Sequence, residues 1–175
     1  MNQRSKYLIS LTLIFTGVIM TSASALLSDY IVSKNQKKIE TLQSDSQSKE
    51  KLITQLWQDY QVLEQKKDTL LILIASNSSQ HYITLFSVEF LTSIGVENPK
   101  QTLLANANRI YPFTMENMNR YKQETLQKIN NIYEEKVYLD MQSNQLISKN
   151  SRYNSIALFF QIFGLILVLS KHIFE

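Results

Sequence analysis

Two uncharged apolar runs bracket the chain. Tyr7 to Leu27 holds no ionisable side chain other than Tyr7, and Ile156 to Ser170 (IALFFQIFGLILVLS) holds none at all. At a rise of about 1.5 Å per residue, the first run is long enough to cross a hydrocarbon core of roughly 30 Å. The second is a little short, so Lys171 just beyond it is expected to snorkel toward the headgroups. Tyr153 before this run and Lys171 and His172 after it suit interfacial anchoring. Leu, Ile and Phe lie on all its faces, unlike a helix half-buried in a soluble core. The pattern predicts an N-terminal tail over 1–6, a transmembrane helix over 7–27, a helical domain over 28–153 and a second transmembrane helix over 154–174.

Between the runs the apolar positions change to a seven-residue period. Ile39, Ser46, Ile53, Tyr60 and Lys67 make one set, and Leu42, Lys49, Leu56, Leu63 and Leu70 the other. Most are apolar and no Gly or Pro interrupts them, which predicts a coiled-coil or bundle arm. Ser46 and Lys49 make the seam polar between Ser44 and Glu50, where a bend or wet patch is expected. A second arm is predicted from about Thr114 to Tyr153, with the seam Met118, Thr125, Ile132, Leu139 and Leu146 and with Met115 and Ile129 beside it. Thr114 is its expected cap and Glu116 complements the helix dipole. Nothing breaks the pattern before the second span, so arm and span can be one helix.

The stretch joining the arms is nearly chargeless. From Thr69 to Pro99 the only charged residues are Glu89 and Glu97. Ser76-Asn77-Ser78-Ser79 predicts a loop, His81 to Ile94 a short helix ending at Gly95, and Asn98-Pro99 the capped start of another helix reaching about Ile110. Tyr111-Pro112 predicts a further break. Ile83, Phe86, Phe90 and Ile94 are expected to close the bundle against Leu70 to Ile74. Tyr82, Leu85, Val88 and Leu91 are the candidate partner-binding residues, because this helix carries apolar residues on more than one face.

The expected fold class is therefore all-α. Two transmembrane helices flank a long antiparallel helical hairpin, a coiled-coil-like bundle with two short helices at its distal tip. With 3 Gly and 2 Pro in 175 residues, the chain lacks the punctuation that a β or Rossmann-type fold needs. Inside the spans, Gly17, Thr21 and Ala25 form a small-residue face suited to close helix packing, and Gly164 in the second span is a further candidate for packing within the membrane. The amide of Gln161 is expected to find a hydrogen-bonding partner on the first span or on another copy.

Charge bears on orientation. Arg4 and Lys6 precede the first span, which places both termini in the cytoplasm of a bacterial inner membrane and residues 28–153 outside it. Lys34, Lys37, Lys38, Lys136, Lys149 and Arg152, on the other side of the spans, argue the opposite way. The N-terminal stretch also fits a secretory signal, with Arg4 and Lys6 as its charged start, Tyr7 to Met20 as its apolar middle and Ala23-Ser24-Ala25 as its cleavage site. We read it as a retained anchor, and whether residues 1–25 are removed stays open.

Candidate chemistry is sparse. The chain has no cysteine, so disulfides, thiolate metal sites and thiol nucleophiles are excluded. His81 and His172 are too far apart in the predicted topology to form a catalytic or metal-binding pair. No phosphate-cradling glycine loop or nucleophile elbow is present. No catalytic, cofactor-binding or metal site is expected, and no enzyme. A net charge of +3, with Lys37-Lys38 and Lys66-Lys67 set among acids, is not the footprint of a nucleic-acid binder.

Three readings of function follow. The leading one is a membrane-anchored structural or interaction protein, a small subunit or scaffold of a larger complex presenting its hairpin to a partner. Its expected partners are membrane lipid and either another protein or further copies of itself, through the arms and spans. The second is an extracytoplasmic sensor-type module without its own signalling domain. Two spans flanking a bundle of this size is similar in layout to the extracytoplasmic part of bacterial chemoreceptors, although no residue motif carries that resemblance. The third is a pore-forming or membrane-perturbing oligomer with Gln161 facing the pore.

Overall fold

The computed structural model of the protein describes residues 3–170. Lys171 and His172 lie outside them, as do the side chains of Arg4 and Lys6. Among the described residues the chain is almost entirely helical, 94%, with no strand. Helix α1 (Gln3–Leu26) passes through a π-helical segment (Leu27–Val32) directly into α2 (Ser33–Ala75). Two short helices follow, α3 (Gln80–Ser93) and α4 (Pro99–Ala105). A 3₁₀ turn (Ala107–Arg109) then leads into α5 (Ile110–Ser170), one unbroken helix of 61 residues.

The turns have legible chemical causes. Helix α2 ends in a Schellman motif with Asn77 in the left-handed region (φ 51°). There Ser78 N donates to Leu73 O at 3.1 Å and Asn77 N to Ile74 O at 3.1 Å. The same motif closes α3 around Gly95 (φ 80°), where Val96 N donates to Leu91 O at 2.9 Å and Gly95 N to Thr92 O at 3.1 Å. Only glycine, or an Asn paying a small penalty, fits such a position without strain.

Two expected helix starts are corrected. Asn98 precedes Pro99 as anticipated, but its φ of 48° is left-handed and its side chain makes no capping hydrogen bond. An N-cap side chain reaches the first turn from the extended region, which Asn98 does not occupy. Helix α5 begins at Ile110 rather than Thr114, and Tyr111-Pro112 does not break it. Pro112 stands in the first turn, where the missing N–H has no intrahelical acceptor to lose. Thr114 is accordingly no cap. It is fully buried, and its Oγ1 donates to Ile110 O at 2.8 Å.

The chain divides into two compact units. Residues 48–136 form one, built around Leu63, Leu70, Phe90, Leu91, Leu103, Ile110 and Met118. Ile83 and Phe86 of α3, Ile94 at its C-terminal end and Ile74 near the end of α2 all pack against this cluster. Lys49 pairs with Glu135 at 2.5 Å and Lys136 with Glu50 at 3.5 Å.

The other unit comprises residues 1–47 and 137–175. Most of its buried positions fall at steps of seven, Ser10, Gly17 and Ser24 on α1, Ile39 and Ser46 on α2, and Ser143, Asn150, Ala157 and Gly164 on α5, with Leu42 buried beside the α2 series. As residue numbers rise along α1 and α2, those of their partners fall along α5. Ser24 Oγ donates to Ala157 O at 2.7 Å, Asn150 Nδ2 to Val32 O at 3.3 Å, and Ser46 Oγ to Asp140 Oδ1 at 2.6 Å. The segments therefore run antiparallel in this unit. Helix α2 is uninterrupted from Ser44 to Glu50, the place of the expected bend or wet patch, and the polar seam residues Ser46 and Lys49 find polar partners there.

The π segment has a geometric reason. The α5 seam keeps strict steps of seven, whereas Ser24 and Ile39 are separated by one residue more than two heptads. A helix that stayed α throughout would turn everything beyond it by about 100° away from the seam. The wider π turn takes up the extra residue and restores register, so one inserted residue and one π segment cancel. Deleting the exposed Tyr30 should let the segment close into α-helix with the seam still aligned. We expect a melting temperature equal to or above that of the native protein by circular dichroism. Deleting the exposed Thr54 should displace aliphatic seam residues, each worth roughly 2–5 kcal/mol when lost, and lower the melting temperature sharply.

Candidate functional site

Two regions hold the residues singled out from the sequence, one in each unit. In the first, α1 and α5 meet through glycine. A Cβ added to Gly17 would stand 2.6 Å from Gly164 O and 2.7 Å from Val168 Cγ2, and one on Gly164 would stand 2.8 Å from Gly17 O. Neither position tolerates a side chain without a shift of backbone. Thr21 lies at the same contact, its Cγ2 being 2.9 Å from the place a Gly164 Cβ would occupy. Ala25 is exposed and takes no part. The residue that does is Ser24, seven positions after Gly17 instead of eight, because the packing period here is the heptad. The Ser10-Gly17-Ser24 spacing would have pointed to it.

Gln161 is exposed on α5. It borders a cleft of about 570 Å³ together with Ser24, Ser28, Gln36, Asn150 and Asn154. No charged residue lines this cleft. Asn150 is buried, and among the described residues its Oδ1 has no hydrogen-bonding partner.

In the second region, α3 carries the candidate contact residues. Tyr82 and Leu85 are exposed, 59% and 58%, and Val88 is half-buried against the core. Leu91 is fully buried, with Phe90 beside it in the cluster. It packs inside the unit and presents nothing to a partner. The near-continuous apolar composition of α3 concealed which face was inward. Leu85 and Val88 instead line a cleft between α3, α4 and the start of α5. His81, the second residue of α3, is exposed and borders the same cleft.

The strongest electrostatic feature of this unit lies on the arms. The Lys122 ammonium stands 2.6 Å from Glu64 Oε1 and 5.1 Å above the Tyr60 ring. Lys122, close enough to donate a hydrogen bond, holds the Glu64 carboxyl below its ordinary value of 4.5, and the positive charges of Lys122 and Lys67 add to this against partial desolvation. Glu64 in turn raises the pKa of Lys122. The pair ties α2 to α5 at this point of the arms.

No protein family, no curated protein and no solved structure matches this chain.

Because the Glu64 carboxyl is depressed in the folded chain, its contribution to stability is present above the unfolded value near 4.5 and is lost as pH falls through the folded value. Glu64→Gln should therefore destabilise at neutral pH by about 0.5–1 kcal/mol, as expected of a partly exposed pair. The difference from the native protein should vanish under strongly acidic conditions. Denaturant unfolding followed by circular dichroism across this pH range checks it.

Proposed function

We propose that this protein is a two-span membrane anchor and interaction module: its two apolar ends cross a bacterial inner membrane, and residues 28–153 form an antiparallel helical hairpin outside the bilayer. Both termini lie in the cytoplasm. The hairpin is offered to a protein partner or to further copies of the chain, in the manner of a small subunit or scaffold. The chain performs no catalysis of its own.

One observation carries the reading. In each of the two long helices, the most apolar window is only 11% buried. A core helix of a soluble protein would be mostly buried. Here Leu8, Leu11, Phe15, Phe159, Phe163 and Ile166 project outward, each at least 43% exposed. Such a surface is stable against lipid and costly in water. The contact between the apolar ends is of the kind lipid favours, with paired glycines and an interhelical hydrogen bond, because lipid supplies little hydrophobic drive for helix association. Exposed apolar residues along the arms, among them Leu52, Val62, Val137 and Met141, support a partner for the hairpin.

The sensor-type module is the second reading. It is favoured by the cleft between the short helices, a concave apolar site of the size that small ligands occupy.

Alkaline carbonate extraction of membranes and reporters placed at residue 78 and at either terminus test the topology together. We expect retention in the membrane, an extracytoplasmic reporter at residue 78 and cytoplasmic reporters at the ends. Release by carbonate, or a cytoplasmic residue 78, overturns it. Purification of the full chain in mild detergent should bring a stoichiometric protein or a defined homo-oligomer with it. A clean monomer contradicts the interaction role.

A further inference from the structure

The cleft between α3, α4 and α5 measures about 410 Å³. Leu85, Val88, Leu103, Leu104 and Ile110 form most of its wall. Leu103 and Ile110 are buried and belong to the hydrophobic core, so the floor is firm. Leu85 and Leu104 at the mouth are 58% and 76% exposed. Two leucines spread open around a concave apolar floor are an unfavourable surface in water, and a ligand that covers them gains that area.

The polar lining is one-sided in charge. Lys100 is the cleft's charged residue among those described, His81 also borders it, and no carboxylate does. Among the described residues Lys100 makes no ion pair and no side-chain hydrogen bond, so its ammonium is available. Thr84, the remaining polar wall residue, gives its hydroxyl proton to Gln80 O at 2.8 Å and so has no proton left for a ligand. An apolar pocket with few placed polar groups is the usual form of a small-molecule site, and its volume is in the usual range. Helix α4, only seven residues long, cannot frame a groove for a docked helix of several turns.

We infer that this cleft binds a small amphiphilic anion, an acyl or aryl carboxylate whose apolar body lies against Leu85, Val88 and Leu104 while its carboxylate meets the Lys100 ammonium. The site is built from residues 81–110 and is independent of the membrane reading. Binding there would bridge α3 and α4 and stiffen the end of the unit.

Titration calorimetry of the full chain in lipid nanodiscs, against empty nanodiscs, tests this with octanoate as the probe and octylammonium as the control of opposite charge. Saturable octanoate binding is expected, with octylammonium indistinguishable from the empty discs. Lys100→Gln should weaken octanoate by roughly tenfold, the loss of one charge-assisted contact. Leu104→Asp should abolish binding, and because Leu104 is so exposed its helicity and melting should match the native protein. The inference is overturned if octanoate shows no saturation above empty nanodiscs, if octylammonium binds as tightly, or if both variants bind octanoate as the native chain does.

Discussion

Two helix backbones come within touching distance only where neither carries a side chain in the way, and Gly17 against Gly164 is that place. The approach there sets the spacing between α1 and α5, and it brings Ser24 Oγ within 2.7 Å of the Ala157 carbonyl. In the membrane setting proposed above, such a hydrogen bond would contribute on the order of 0.6–2 kcal/mol, with van der Waals packing along the glycine contact beside it. With the helices pinned, residues at steps of seven on each side must face one another. Ser10, Ser143 and Asn150 are buried for that reason and not for their polarity.

The same requirement explains the π segment and the polar character of the seam. A chain with one residue too many between Ser24 and Ile39 must absorb it locally or lose register, and the turn widens over Leu27–Val32. Asn150 then donates to the Val32 carbonyl at the end of that segment. Polar residues at single seam positions fix register at some cost in stability, and Ser46 with Asp140 does so in the same unit. Within residues 48–136, Lys49 with Glu135 and Lys122 with Glu64 act alike, each acid answering a base across the arms.

Much of this was legible in the sequence where the signal is periodic or rests on a residue with a special backbone. All ten positions of the two heptad sets on the first arm, from Ile39 to Leu70, are buried or half-buried, including Ser46 and Lys49. The Ser76–Ser79 loop and the stop at Gly95 followed from the turn chemistry of Asn and Gly. The errors share a physical origin. Hydrophobicity shows what is buried but not how the backbone hydrogen bonds run, so the π segment and the start of α5 ahead of Pro112 were missed. An element apolar on nearly every face has no preferred side, which hid the burial of Leu91. The small residues of the first span could be read at steps of four or seven. Only the partner helix, with Ala157 and Gly164 seven apart, selects Ser24 over Ala25.

Cysteine crosslinking in intact membranes addresses the seam and its setting at once, since the chain has no cysteine of its own. With Ser24→Cys and Ala157→Cys combined, mild oxidation should give an intrachain crosslink at high yield, seen as altered mobility of a monomer on denaturing gels. Moving the first cysteine one position, to Ala25→Cys, should lose it. Equal crosslinking from position 25, or none from position 24 in protein retained by the membrane, would contradict the account.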